Sequence, residues 1–113
     1  MNLDEIISAL NLKRLTQEKD FTQIIPQGGY ASDLLSCVMA GAPRNGIWVT
    51  LQAHLNVIAV AALLDLSAVI ITENATPEDA TIAKANEENI NLFLTSDDSY
   101  TVIGKLWELG VRN

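Results

Sequence analysis

Between Ile47 and Leu109 the chain repeats one pattern three times: a short, continuous apolar run, then a longer stretch at helical spacing. Ile47-Trp48-Val49-Thr50-Leu51 is followed by residues 53–64, and Ala68-Val69-Ile70-Ile71 by residues 77–88. Asn91-Leu92-Phe93-Leu94 is followed by a segment from about Asp97 to Leu109. Strands alternating with helices in this way read as βαβ crossovers, which need parallel strands and right-handed connections. The strands are unbroken apolar runs, as when both faces of a sheet are covered. The expected fold is therefore α/β: three layers, with a mostly parallel sheet built from βαβ units and helices on both faces. Residues 1–113 are expected to form one domain, since no linker or low-complexity tract divides them.

The N-terminal part is less regular. Leu3, Ile6, Ile7 and Leu10 fall at helical spacing behind Asn2 as N-cap. Leu12 to Thr16 reads as a short strand and residues 17–23 as a loop. Pro26 keeps its surroundings extended, and Gly28-Gly29 leads toward a helix expected from Ser32 to Ala40 and closed by Gly41. Thr76 and Ser96 are the expected caps of the last two helices, and Tyr100, Ile103, Leu106 and Trp107 the apolar stripe of the final one. Between Leu55 and Leu64 only Asn56 and no other residue is polar. A helix that is apolar all round needs cover on its outer side, from the N-terminal helix or from a second copy of the chain.

Charge excludes whole classes of function. Seven basic residues oppose fourteen acidic ones, a net charge of −7. The basic residues are scattered, and eight acids between Asp65 and Asp98 face only Lys84. Nucleic acid and anionic membrane surfaces both need clustered Lys and Arg, so neither is an expected partner. The apolar run at residues 55–71 is 17 residues long and is interrupted by Asn56, Asp65 and Ser67. A membrane span wants about 20 apolar residues. Cys37 is the single cysteine, which excludes an internal disulfide and a cysteine-based zinc site. The start has no basic segment before its apolar residues, so a cytoplasmic protein is expected.

In open parallel sheets, ligands bind beyond the carboxyl ends of the strands. Each of the three clear strands ends at or next to a threonine: Thr50, Thr72 and Thr95. Thr50 leads into Gln52, His54 and Asn56. Such residues can hold a polar ligand, or they can cap helices and satisfy turn backbone. Capping is the plainer reading of Thr72, Thr95 and Ser96. The run Thr50, Gln52, His54, Asn56 is longer than one cap needs and points to a ligand. His54, the lone histidine, can serve as an acid or base near neutral pH, or as a hydrogen-bonding residue in a first turn. Gly28, Gly29, Ser32 and Asp33 are expected to join these residues in one cleft, provided that the strand before them runs parallel. Asp33 in a helix's first turn disfavours a bare phosphate there. No phosphate loop, metal set, carboxylate dyad or activated nucleophile can be assembled, so an enzyme is not expected, nor a cofactor.

Several of these residues also carry a family resemblance. Gly28-Gly29-Tyr30-Ala31-Ser32-Asp33-Leu34-Leu35-Ser36 resembles the central motif of the DRTGG domain. Trp48-Val49-Thr50-Leu51-Gln52-Ala53-His54-Leu55-Asn56-Val57 is similar to its second block, and Gly104-Lys105-Leu106 to its later part. Pro26-Gln27 precedes the glycines, so the charged pair that gives the family its name is absent. The resemblance implies a regulatory domain of the kind found beside CBS domains, similar to the N-terminal domain of HPr kinase/phosphorylase. It implies a nucleotide or other metabolite as ligand, or alternatively a dimerisation and docking module. A homodimer and a redox or hydrogenase-related protein partner are among the expectations.

Overall fold

The computed structural model describes residues 1–113. The elements run α1 (Leu3–Leu10), β1 (Lys13–Arg14), a single 3-10 turn (Phe21–Gln23), β2 (Gly29–Ala31) and α2 (Leu35–Gly41). They continue with β3 (Ile47–Thr50), α3 (Leu55–Leu63), β4 (Ala68–Ile71), α4 (Asp79–Glu87), β5 (Leu92–Leu94) and α5 (Ser99–Glu108). The five strands form one sheet in the order β1-β5-β4-β3-β2. Strands β2 to β5 are parallel, and β1 pairs with β5 antiparallel. The α/β architecture with helices on both faces is as expected.

Successive residues of a strand point to opposite faces, which divides the core in two. Trp48, Val69, Ile71, Leu92 and Leu94 meet Val38, Val57, Ala61 and Ala85 from α2, α3 and α4. Ile47, Val49, Ala68, Ile70 and Phe93 meet Leu3, Ile6, Val102 and Leu106 from α1 and α5. Phe21 closes the second layer against Phe93 edge to face, with ring centroids 5.7 Å apart. Each strand from β2 to β5 lies beside the next in chain order. Right-handed crossovers that always advance in one direction place their helices on one face. The strand order therefore never reverses, and the sheet lacks the crevice that a reversal opens.

Several boundaries differ from expectation. The Gly28-Gly29 segment does not cap a helix: Gly29 opens β2 itself. Helix α2 begins at Leu35 with no side-chain cap, because Ser32 instead accepts from the Leu34 N–H in a local turn at 3.1 Å. Glu78 and Asp98, rather than Thr76 and Ser96, precede α4 and α5. Asp98 caps α5 by accepting from the Thr101 N–H at 2.7 Å. That hydrogen bond holds its carboxyl below the usual 3.8. The N-terminal helix packs on the face opposite α3 and leaves it uncovered. Leu55 is 51% and Leu63 61% exposed.

Candidate functional site

The carboxyl edge of the sheet carries the loops 32–34, 51–54, 72–78 and 95–98. Thr50 lies beside Ile71, and Ile71 beside Leu94, so the loops after β3, β4 and β5 leave the sheet together. Gly29 pairs with Ile47, the first residue of β3. Gly28 and Gly29 therefore stand at the opposite edge from Gln52, and the expected shared cleft does not form. Gly28 has φ +122°, a conformation suited to glycine, at the turn that enters β2.

Ser32, Asp33, Thr50, Thr72 and Thr95 do reach the carboxyl edge, where their side chains hold turns. The Thr50 hydroxyl donates to Asp33 Oδ1 at 2.7 Å and accepts from the Gln52 N–H at 3.1 Å. Asp33 Oδ1 also accepts from the Leu51 N–H at 2.8 Å, which ties the loop after β2 to the loop after β3. Thr72 Oγ1 shares a 2.7 Å hydrogen bond with Ser99 Oγ, and Thr95 Oγ1 accepts from the Asp97 N–H at 3.2 Å. Thr50 and Thr72 are buried and do not line an open rim. Their role is that of turn formers, the plainer of the two readings.

Gln52, His54 and Asn56 behave differently. None of the three side chains hydrogen-bonds within the protein, and His54 and Asn56 are exposed. His54 precedes α3 without capping it and overlooks a cavity of about 480 Å³, shared with Thr76, Glu78 and Thr81 from the start of α4. Asn56 lies in a separate recess of about 430 Å³ with Leu63, Lys84 and Glu88. The sequence therefore pointed to His54 but missed the opposing wall. The signal was available: the loop after β4 leaves the same edge, but its wall residues come four to nine positions beyond Thr72. Within that loop Glu73 and Asn74 adopt left-handed backbone, with φ 57° and 54°. Their N–H groups donate to the carbonyls of Asp97 and Thr95, each at 2.9 Å.

Two further hollows flank this edge and the sheet's side. One, of about 390 Å³, lies beyond β5 among Asn11, Lys13, Asn74, Thr95 and Lys105. Lys105 there pairs with Asp97 at 3.0 Å. The other, about 160 Å³ and mostly apolar, lies between β2 and α5, lined by Tyr30, Ile103, Trp107 and Val111. Asn113 Oδ1 accepts from the outward-facing Gly29 N–H at 2.9 Å beside it. No helix of the chain is long and apolar enough to cross a membrane.

No protein-family model and no curated protein matches the chain. Among solved structures it is similar to the CBS and DRTGG domains of the regulatory region of Clostridium perfringens pyrophosphatase, crystallised with the activator diadenosine tetraphosphate. The TM-score is 0.77 at 20% identity, and the likeness covers 93% of this chain. The chain spans 45% of that structure's length. Its fold is thus a DRTGG/CBS-like one.

Proposed function

We propose that this chain is a non-catalytic regulatory domain that binds a polar metabolite at the carboxyl edge of its parallel strands, between the loops after β3 and β4. One observation carries this: His54 stands unbonded over an open cavity whose far wall supplies Thr76, Glu78 and Thr81. The regulatory part is supported by the fold neighbour, a regulatory region in complex with a nucleotide activator. A nucleotide is accordingly the first ligand class to try. The non-catalytic part is supported by the hydroxyls of Thr50, Thr72 and Thr95, which hold turns rather than face a substrate. A thermal-shift panel of nucleotides and central metabolites tests the reading. A ligand at one hundred times its Kd adds about 2.7 kcal/mol to the unfolding free energy. His54→Ala should weaken that response and leave the unliganded midpoint in place. A panel that moves nothing would sink the ligand-binding reading.

A second reading, a dimerisation or docking module, is favoured by exposed apolar side chains. Tyr100 is 88% and Trp107 58% exposed on α5, beside the free edge of β2. A homodimer and a redox-related protein partner belong to this reading. Light scattering should then give about twice the 12.3 kDa of one chain at micromolar concentration. A monomer mass there would count against self-association.

A further inference from the structure

The cavity between the starts of α3 and α4 also carries information about the ligand it suits. Each helix has nine residues. The first turn of a helix leaves backbone N–H groups without an intrahelical acceptor. Neither His54 nor Glu78, the residues preceding these helices, turns its side chain back to satisfy them. Thr81 adds an independent observation. It lines the same cavity, is 5% exposed, and its hydroxyl has no hydrogen-bond partner in the protein. Thr16, Thr50, Thr72 and Thr95, also buried, all have partners. No unpartnered side-chain oxygen is sealed from solvent. The Thr81 hydroxyl is therefore open to solvent in a residue that lines the cavity, where an incoming group can satisfy it.

Charge then selects that group. Glu78 has no ion-pair partner, and no Lys or Arg lines the cavity. The Glu78 carboxylate opposes a phosphate, whereas two positive helix ends oppose a cation. A hydroxyl suits both, donating to a carboxylate and accepting from an amide or imidazole N–H. We propose that the cavity binds a neutral vicinal diol, either the ribose of a nucleoside or a free sugar. This rests on the ligand-binding reading above and narrows it: the sugar, and not a phosphate, enters between the helices.

Amide chemical shifts of the full chain, titrated separately with adenosine, 2′-deoxyadenosine, D-ribose and ATP, test the proposal. Adenosine should shift His54, Leu55, Ala80 and Thr81. 2′-Deoxyadenosine should bind about tenfold more weakly, the loss of one good hydrogen bond. ATP, with the same ribose and a polyphosphate tail, should also bind more weakly than adenosine. D-Ribose matching adenosine identifies a free-sugar site; adenosine alone identifies a nucleoside site. Thr81→Val should lower adenosine affinity about tenfold, and Thr81→Ser should restore it. Equal binding of the deoxynucleoside, unchanged binding by Thr81→Val, or no shift at these amides would overturn the proposal. ATP shifts confined to Thr95 and Asp97 would overturn it and move the site to the hollow beyond β5, leaving in place only a ligand at the carboxyl edge. Silence from every probe over the whole edge would remove both.

Discussion

Thr50 connects three segments through one hydroxyl, with 1% of the residue exposed. It donates to Asp33 and accepts from the Gln52 N–H, so replacing it breaks two loops at once. Thr50→Val keeps the shape and strands both partners. It should cost about 1–3 kcal/mol in urea unfolding, the net worth of two hydrogen bonds at about 0.5–1.5 kcal/mol each, because Asp33 is exposed and Gln52 only half-buried. Asp98 makes a prediction in pH. Its carboxyl is held below the ordinary value by the hydrogen bond from Thr101. An acid whose folded-state pKa is depressed contributes stability that is full above its unfolded value, about 3.9, and is lost as pH falls through the folded one. Asp98→Ala should therefore lower the thermal midpoint at pH 7 and flatten its fall below about pH 4. An unchanged difference between the two proteins from pH 7 to pH 2 would refute the assignment. His54, by contrast, serves no turn, and that separates it from the threonines.

At the scale of elements, α3, β4 and β5 were legible to within about two residues, because their apolar runs are long and unbroken. Helix α1 was legible with its cap: Asn2 and Glu5 exchange hydrogen bonds at 2.9 and 3.1 Å. Strand β2 was not, because Gly29-Tyr30-Ala31 has no apolar run and shows itself only by pairing with β3. Of the expected stripe Tyr100, Ile103, Leu106 and Trp107, which has true helical spacing, only Leu106 is buried and the other three face solvent. The buried side of α5 is Val102 and Leu106, next to them on the wheel. Hydrophobic spacing identifies a helix face without saying whether its cover lies in the same chain. Leu106→Ala should accordingly cost about 2–5 kcal/mol. Tyr100→Ser should stay within about 0.5 kcal/mol of the parent. Urea titrations of both variants check the contrast, and comparable losses would show that the stripe belongs to the core. The candidate site was half legible for a similar reason. His54 follows a clear strand, whereas Thr81 sits inside α4, where only packing reveals a hydroxyl without a partner.

For the molecule as a whole, the sheet has an order of assembly written into its connections. Strands β2 to β5 join side by side in the order in which the chain presents them. The first strand does not: β1 lies against β5, the last. Leu15 N–H reaches the Leu92 carbonyl at 2.9 Å, and Leu92 N–H reaches Thr16 Oγ1 across a separation of 76 residues. Lys19 Nζ seals the junction on Asn91 Oδ1 at 2.8 Å. Helix α1 covers the face that α5 completes. During synthesis the four parallel strands can add to a growing edge as each leaves the ribosome. Strand β1 must meanwhile wait unpaired, with α1 packed on the neighbouring 3-10 turn, and the sheet closes on it only after the last strand has emerged.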